Sequence, residues 1–509
     1  MSRAKATVWV VGDSTVSAFG DKYYIPRAGY GEEIKNYFRA QVYNLARSGA
    51  SSKDFISMTN YRELMDGSES VPALGRADGK KFLVIGFGHN DEKPEDARHT
   101  NAEGDYKTPG SFANSLYENY IKPALERGVI PVVCTPIARL TKDNTPENYI
   151  GPEGHITSDQ RVGDRVFKGG DYRKAVLNMV SDLHSEGLYV EFADLTGATI
   201  AVNVALGENA KYLHAFAGAK RSADGTLVPV GLDLTHTNLY GAKMNAWLLS
   251  EQAKTTAPLF SDYSLNKEKP TFEEFFAPSI NVDYEVADYK APSVKEMDSV
   301  SWPVFKDADG NLWHGTAFGD IEEHDGSREG CFKAQTDGFE ITLSAQGNKG
   351  NISAGSDGLL FYCLRLPAGT EFTLSARAKI NYFELNNQVS FGLMVRDDLY
   401  IDRYVSAPMG DYVAAGVLNQ GSVVNFGRKS SALVGGFPKH SISLSPGTEV
   451  ELRIDAGREG FTLTYGKETA SAGFDYPLTA VDPDSVYAGF YVSRNVSITF
   501  KDIRLTTII

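Results

Sequence analysis

Two hydrophobic periodicities divide this 509-residue chain. Up to about residue 255, short apolar runs alternate with longer amphipathic stretches. The runs Thr7–Val11, Phe82–Phe87, Val129–Thr135 and Leu188–Asp194 have the length and the Val and Ile content of strands buried on both faces. Between them, "SFANSLYENYIKPALERG" and "DYRKAVLNMVSDLHSEG" place apolar residues three and four apart, the spacing of one helix face. Both end in glycine, Gly128 and Gly187, where a helix stop favours a left-handed residue. This alternation specifies an α/β fold, a parallel sheet sandwiched by helices. Ligands of such sheets bind beyond the carboxyl ends of the strands.

From about Trp302 onward the period changes to two. "FEITLSA", "TEFTLSARAKI", "TEVELRIDA" and "VSITFKDIRL" read as short strands separated by Gly, Pro, Asn and Asp, with no helical pattern between them. That predicts an all-β domain, a β-sandwich of jelly-roll type. Residues 256–300 are mixed in charge with spaced prolines, and read as a connector that packs partly against its neighbours. The expected organisation is therefore a catalytic domain at 1–255, a connector at 256–300 and a β-sandwich at 301–509, the last with a possible carbohydrate-binding role. Its candidate sugar platforms are Trp302, Trp313, Tyr382 and Tyr400.

Composition narrows the function. A net charge of -14 argues against a nucleic-acid or anionic-membrane partner, because both demand a positive face. No apolar run reaches the roughly 18–20 residues that cross a bilayer. The three cysteines, Cys134, Cys331 and Cys363, make no disulfide framework. Cys134 reads as a buried hydrophobe, and a Cys331–Cys363 bridge stays open. Met1 leads through "SRAKA" straight into the first strand, so a cytoplasmic location is expected, with export after removal of a signal as the alternative. Nothing in the sequence addresses oligomeric state.

The chemistry lies in the loops that follow the strands. A hydrolytic serine needs a base, a group orienting that base, and donors aimed at the developing oxyanion. Ser14 follows the first strand in "VWVVGDSTVSAF". Gly49, in "VYNLARSGASS", lacks a side chain, so its N–H can approach a substrate oxygen. Asn90, in "GFGHND", offers an amide donor. Asp233 and His236 stand three apart in "GLDLTHTNLYGA", on a loop or first helical turn, where the carboxylate can hold His Nδ1 and free Nε2 for Ser14. The GxSxG elbow of α/β-hydrolases is absent.

In this order, "VGDSTVSAF", "NLARSGASS", "IGFGHNDEK" and "DLTHTNLYGA" resemble the signature blocks of the SGNH (GDSL) hydrolase family, over about residues 5–255. "GDST", "FGHND" and "TPIARL" are similar to rhamnogalacturonan acetylesterases and related pectin or xylan deacetylases. The resemblance implies a flavodoxin-like sheet and an acyl-enzyme mechanism without cofactor. It implies Ser14 as nucleophile, His236 as base and then acid, and Asp233 as orienting carboxylate. The oxyanion hole would be the N–H groups of Ser14 and Gly49 with the Asn90 side chain. The expected activity is release of acetate from acetylated plant cell-wall carbohydrate, pectic of the rhamnogalacturonan type, with xylan as the further candidate. The alternatives are a lipid or thioester hydrolase and a non-catalytic carbohydrate-binding protein. The chain departs from the smallest members in its large β domain, and its start, read as having no export signal, is not the one expected of a secreted enzyme.

Further residues stay open between two roles. His89 either contacts substrate or fixes the Asn90 loop. Arg47 and Arg139 serve surface ion pairing or substrate binding. His155, His184 and His214 have no partners at metal-ligand spacing, so no metal site is expected. Asp171 reads as a helix start.

Overall fold

A computed structural model describes residues 6–508 except 21–22, 163, 223, 272–279, 285, 287–290, 292–302, 320–331, 346–349, 353–356, 385–388, 400–409, 419–422, 431, 436–441 and 443. The chain folds as two compact units, Met1–Phe216 with Leu232–Val282, and Ala217–Gly231 with Asp283–Ile509.

The first unit is built on five parallel strands: β1 (Ala6–Gly12), β2 (Ala40–Asn44), β3 (Lys81–Gly86), β4 (Ile130–Cys134) and β5 (Glu191–Ala193). Their order is β2-β1-β3-β4-β5, the flavodoxin-like arrangement. Alternation sends Val8, Val10, Phe82, Val84 and Val132 into one helix-covered layer. Trp9, Val11, Leu83, Ile85 and Val133 enter the other. Both layers are buried, which is why these strands read as continuous apolar runs. Chain order reverses between β1 and β3, so their carboxyl ends open the crevice where such sheets bind ligands. Gly12 ends β1 because a Cβ there would lie 2.4 Å from the Gly86 carbonyl oxygen.

The helices start and stop for local reasons. Asp171 caps the helix Tyr172–Ser185, its carboxylate accepting from the Lys174 N–H at 2.8 Å. Gly128 and Gly187 adopt φ of 65° and 79°, the left-handed stops expected of them. The stretch 112–126 is helical throughout but widens into a π turn at Tyr117–Ile121. Pro123 has no N–H to donate to the Asn119 carbonyl, and the Tyr61 hydroxyl takes that oxygen at 3.0 Å. Cys134 is buried, and burial pushes its thiol up to about 12. The unit continues past residue 255: Ala257 and Phe260 join its core, and Phe260 stacks on Phe38 at 4.1 Å. Much of the expected connector lies outside the described residues.

The second unit is a β-sandwich, with nine- and seven-stranded antiparallel sheets among the described residues. Strand Glu371–Phe383 turns Phe372, Leu374, Ala376, Ala378 and Ile380 into the core, with polar residues between them. The nine-stranded sheet is buried on both faces: Leu360 and Tyr362 enter the intersheet core, while Leu359, Phe361 and Cys363 pack on the other side. Trp313 corrects an expectation, being fully buried with its indole N–H on Asp307 Oδ2 at 3.0 Å rather than serving as a sugar platform. Tyr382 is exposed, and Trp302 and Tyr400 lie outside the described residues. Cys363 is a buried free thiol, and Cys331, its candidate partner, lies outside the described residues.

Candidate active site

The first unit brings the loops after β1, β2 and β3 together through backbone and carboxylate contacts. The Arg47 N–H donates to the Gly12 carbonyl at 2.9 Å, tying the second loop to the first. Asp13, fully buried, accepts from the Thr15 N–H and hydroxyl with Oδ1 and from the His89 N–H with Oδ2. Asn90 Nδ2 donates to the Ala50 carbonyl at 2.9 Å, tying the third loop to the second.

Asp233 and His236 occupy the end of the strand Leu227–Thr237, not a loop or helical turn; the helix Leu239–Thr256 begins three residues after the histidine. Asp233 Oδ1 accepts the N–H groups of Thr235 and His236, both at 2.9 Å, which curls the backbone locally. Its Oδ2 lies 2.7 Å from His236 Nδ1, and His236 Nε2 lies 2.8 Å from Ser14 Oγ. A carboxylate can only accept, so the proton of the neutral imidazole sits on Nδ1 and Nε2 accepts from the serine. Burial opposes the Asp233 charge, but the His236 ring and the three hydrogen bonds outweigh it and hold the carboxyl well below the usual range. His214 adds support by contacting the Asp233 carbonyl through Nδ1 at 2.9 Å, and the Phe19 ring meets His236 edge-on at 5.8 Å.

Three donors on these tied loops keep a hydrogen without a partner among the described residues. Among the described residues, neither the Ser14 N–H nor the Gly49 N–H enters a hydrogen bond within the protein. Gly49 has a φ of 83°, a left-handed conformation that a side chain would strain. Asn90 gives one amide hydrogen to Ala50 and keeps the second. A serine on a histidine held by a carboxylate, beside three unengaged N–H groups, can add to a carbonyl and stabilise the resulting oxyanion.

The other sequence candidates separate. Arg47 is exposed. His89 and Arg139 are turned inward, each on a carboxylate, which is the structural alternative left open for them. His89 is 3% exposed, with Nδ1 3.3 Å from Asp13 Oδ2 and its ring edge-on to His155 at 4.6 Å. Burial drives its imidazole down to about 4 in spite of Asp13, so it is neutral at pH 7. Arg139 pairs with Glu92 Oε2 at 2.7 Å and donates to the Pro152 carbonyl at 2.6 Å. Burial raises Glu92, but Arg139 and His155 pull its carboxyl down to about 2. An arginine this enclosed needs a carboxylate, and His155, fully buried, completes the cluster on the other Glu92 oxygen. Three participants were not singled out from the sequence: Asp13; Asp91, which accepts from the Ser52 N–H and hydroxyl and the Thr100 hydroxyl; and Arg98, which donates to the Gly49 carbonyl and Asn90 Oδ1. Asp13 and Asp91 sit inside the quoted blocks, where a charged residue between buried neighbours is the usable signal. Arg98 has no local signal for this role, because the two site residues it reaches, Asn90 and Gly49, are eight and forty-nine residues away.

Residues 8–245 match the family described as GDSL-like lipase/acylhydrolase, and residues 321–415 match the pectate disaccharide-lyase N-terminal domain. The chain is 30% identical over 190 residues to the "Probable rhamnogalacturonan acetylesterase YesY" of Bacillus subtilis, covering 36% of this chain and 78% of that protein. It is 29% identical over 141 residues to the rhamnogalacturonan acetylesterase RhgT of the same organism, covering 27% and 52%. With pectate lyase L of Thermoclostridium stercorarium it shares 28% identity over 162 residues, which is 31% of this chain but only 12% of the lyase.

Proposed function

The chain belongs to the GDSL-like lipase/acylhydrolase family, and we propose that it is a serine O-acetylesterase removing acetyl groups from pectic carbohydrate of the rhamnogalacturonan type. It is a carboxylic ester hydrolase, and its relatives make it a carbohydrate esterase. The observation that carries the mechanism is the Asp233–His236–Ser14 alignment at 2.7 and 2.8 Å beside three unengaged N–H donors. Ser14 Oγ adds to the acetyl carbonyl as His236 Nε2 takes its proton, and Asp233 stabilises the imidazolium. The N–H groups of Ser14 and Gly49 and the Asn90 amide hold the tetrahedral oxyanion. His236 then protonates the departing sugar hydroxyl. Water, deprotonated by the same nitrogen, releases acetate from Ser14.

The pectic assignment is supported by the names of the two esterases and by the C-terminal match to a pectate-lyase domain. Acetate release should be highest on acetylated rhamnogalacturonan when compared with acetylated pectin, xylan and mannan. Ser14→Ala should lower kcat at least about 10⁴-fold while leaving the melting temperature in place. A preference for xylan moves the substrate to a neutral backbone, and a preference for octanoyl over acetyl esters moves it to lipids. Retained turnover in Ser14→Ala removes the nucleophile.

A further inference from the structure

Arg98 lies beside the oxyanion donors and touches no substrate atom in any step above. Its Nη1 donates to two acceptors at once, the Gly49 carbonyl oxygen and Asn90 Oδ1, both at 3.2 Å. Its other edge is gripped by Glu95, with Nε on Oε2 at 2.9 Å and Nη2 on Oε1 at 2.7 Å. The bidentate pair sets the plane of the guanidinium and so the direction of Nη1. Arg98 and Glu95 are three residues apart, and their side chains are 18% and 14% exposed, so the clamp is local and mostly shielded from water.

A primary amide can rotate by half a turn and exchange its oxygen for its nitrogen at little steric cost. For Asn90 the two orientations are opposite in function: one aims an N–H at a developing oxyanion, the other aims a carbonyl oxygen at it. Two neighbours discriminate between them. The Ala50 carbonyl can only accept, so it requires Nδ2. Arg98 has no acceptor, so it requires Oδ1. We propose that Arg98 is the positioning residue of the oxyanion hole, locking the Asn90 amide in its donating orientation and tying the Gly49 peptide to it. The cation on Oδ1 also draws electron density from the amide and strengthens the remaining Nδ2–H as a donor. The left-handed backbone of Gly49 makes the second contact useful, because a residue without a side chain has the most conformations to lose.

This inference rests on Asn90 being an oxyanion donor, and the test separates the two. Steady-state kcat and KM on 4-nitrophenyl acetate would be measured for the full chain and for Asn90→Ala, Arg98→Met, Arg98→Lys and the Asn90→Ala/Arg98→Met double variant, with melting temperatures alongside. Asn90→Ala should lower kcat about 10²- to 10³-fold. Arg98→Met should lower kcat about 10-fold or more with KM within about threefold, as expected for an interaction made in the transition state. Arg98→Lys, which keeps the charge but not the two-point contact, should fall between Arg98→Met and wild type. In the Asn90→Ala background the Arg98→Met loss should shrink to within about threefold, because the amide it orients is gone and only the Gly49 contact remains. Losses that multiply in the double variant overturn the proposal, as does an Arg98→Met kcat within threefold of wild type. If Arg98→Met does not fold, the same cycle run with Arg98→Lys decides on the same criterion. An Asn90→Ala enzyme at full kcat removes the oxyanion reading itself, and the proposal falls with it.

Discussion

His89 and His214 are buried imidazoles held near 4 by desolvation, far below the 6.5 of a free histidine. Between those values the unfolded chain carries a proton on each that the folded chain refuses, so each contributes stability that rises with pH from about 4 to 6.5. Asp91 has the opposite sign. It accepts from the Ser52 N–H and hydroxyl and from the Thr100 hydroxyl, meets no cation among the described residues, and is raised by burial to about 7. From its ordinary 3.8 up to about 7 the folded carboxyl keeps a proton that the unfolded one has lost, so its contribution falls as pH rises. Asp91→Asn cannot ionise and keeps an acceptor for the serine and threonine donors. The substitution should therefore be more favourable at pH 8 than at pH 5 by more than about 1 kcal/mol, read from urea midpoints at the two pH values. An equal effect at both would show that Asp91 is ionised throughout.

In the sandwich, strand pairing aligns Arg396 with Tyr412 and Tyr412 with Arg428 across three neighbouring strands. Both arginines are fully buried, and their common counter-ion is Asp357: Arg428 binds its two oxygens at 2.9 and 2.8 Å, and Arg396 binds one at 2.9 Å. Asp398 holds Arg396 from the other side at 2.6 Å. Burial alone would raise Asp357, but Arg428 and Arg396 bring its carboxyl below the usual range. Replacing one member of such a group leaves charge stranded in a dry interior. Asp357→Asn should therefore destabilise the protein by about 3–5 kcal/mol, measured by denaturant unfolding followed through tryptophan fluorescence. A loss under 1 kcal/mol would mean that water reaches the guanidinium groups.

The whole molecule carries a net charge of -14, and a rhamnogalacturonan chain is itself a polyanion. Repulsion between the two should raise KM on the polymer at low ionic strength and relax as salt shortens the Debye length from about 30 Å at 0.01 M to about 8 Å at 0.15 M. KM for acetylated rhamnogalacturonan should drop across that range while KM for 4-nitrophenyl acetate stays level. A KM that rises with salt on the polymer would instead reveal a local basic surface steering the substrate in.

Much of this was legible in the linear chain for a definite reason. Strand burial on both faces writes itself as unbroken apolar runs, and the period of two in the C-terminal part writes out the one-sided strands of the sandwich. Ser14, Gly49, Asn90, Asp233 and His236 each sit in a short block whose local chemistry suits its place, so their types and order could be read before any geometry. Contacts across the fold could not. The inward turn of His89 and Arg139 depends on Asp13, Glu92 and His155, residues far apart in sequence that become neighbours only when the strands align. Burial then forbids an unpaired charge, and the choice between surface and interior follows. The same holds for Trp313, whose place in the core was set by the sheet facing it. Arg98 is the sharpest case: nothing within "EDARHT" announces it, and only the folded loops put its guanidinium on Gly49 and Asn90 together. Sequence determines which groups are available and on which faces of their elements they lie; tertiary structure decides which of them meet, because hydrogen bonds and desolvation act over a few ångströms of space and not along the chain.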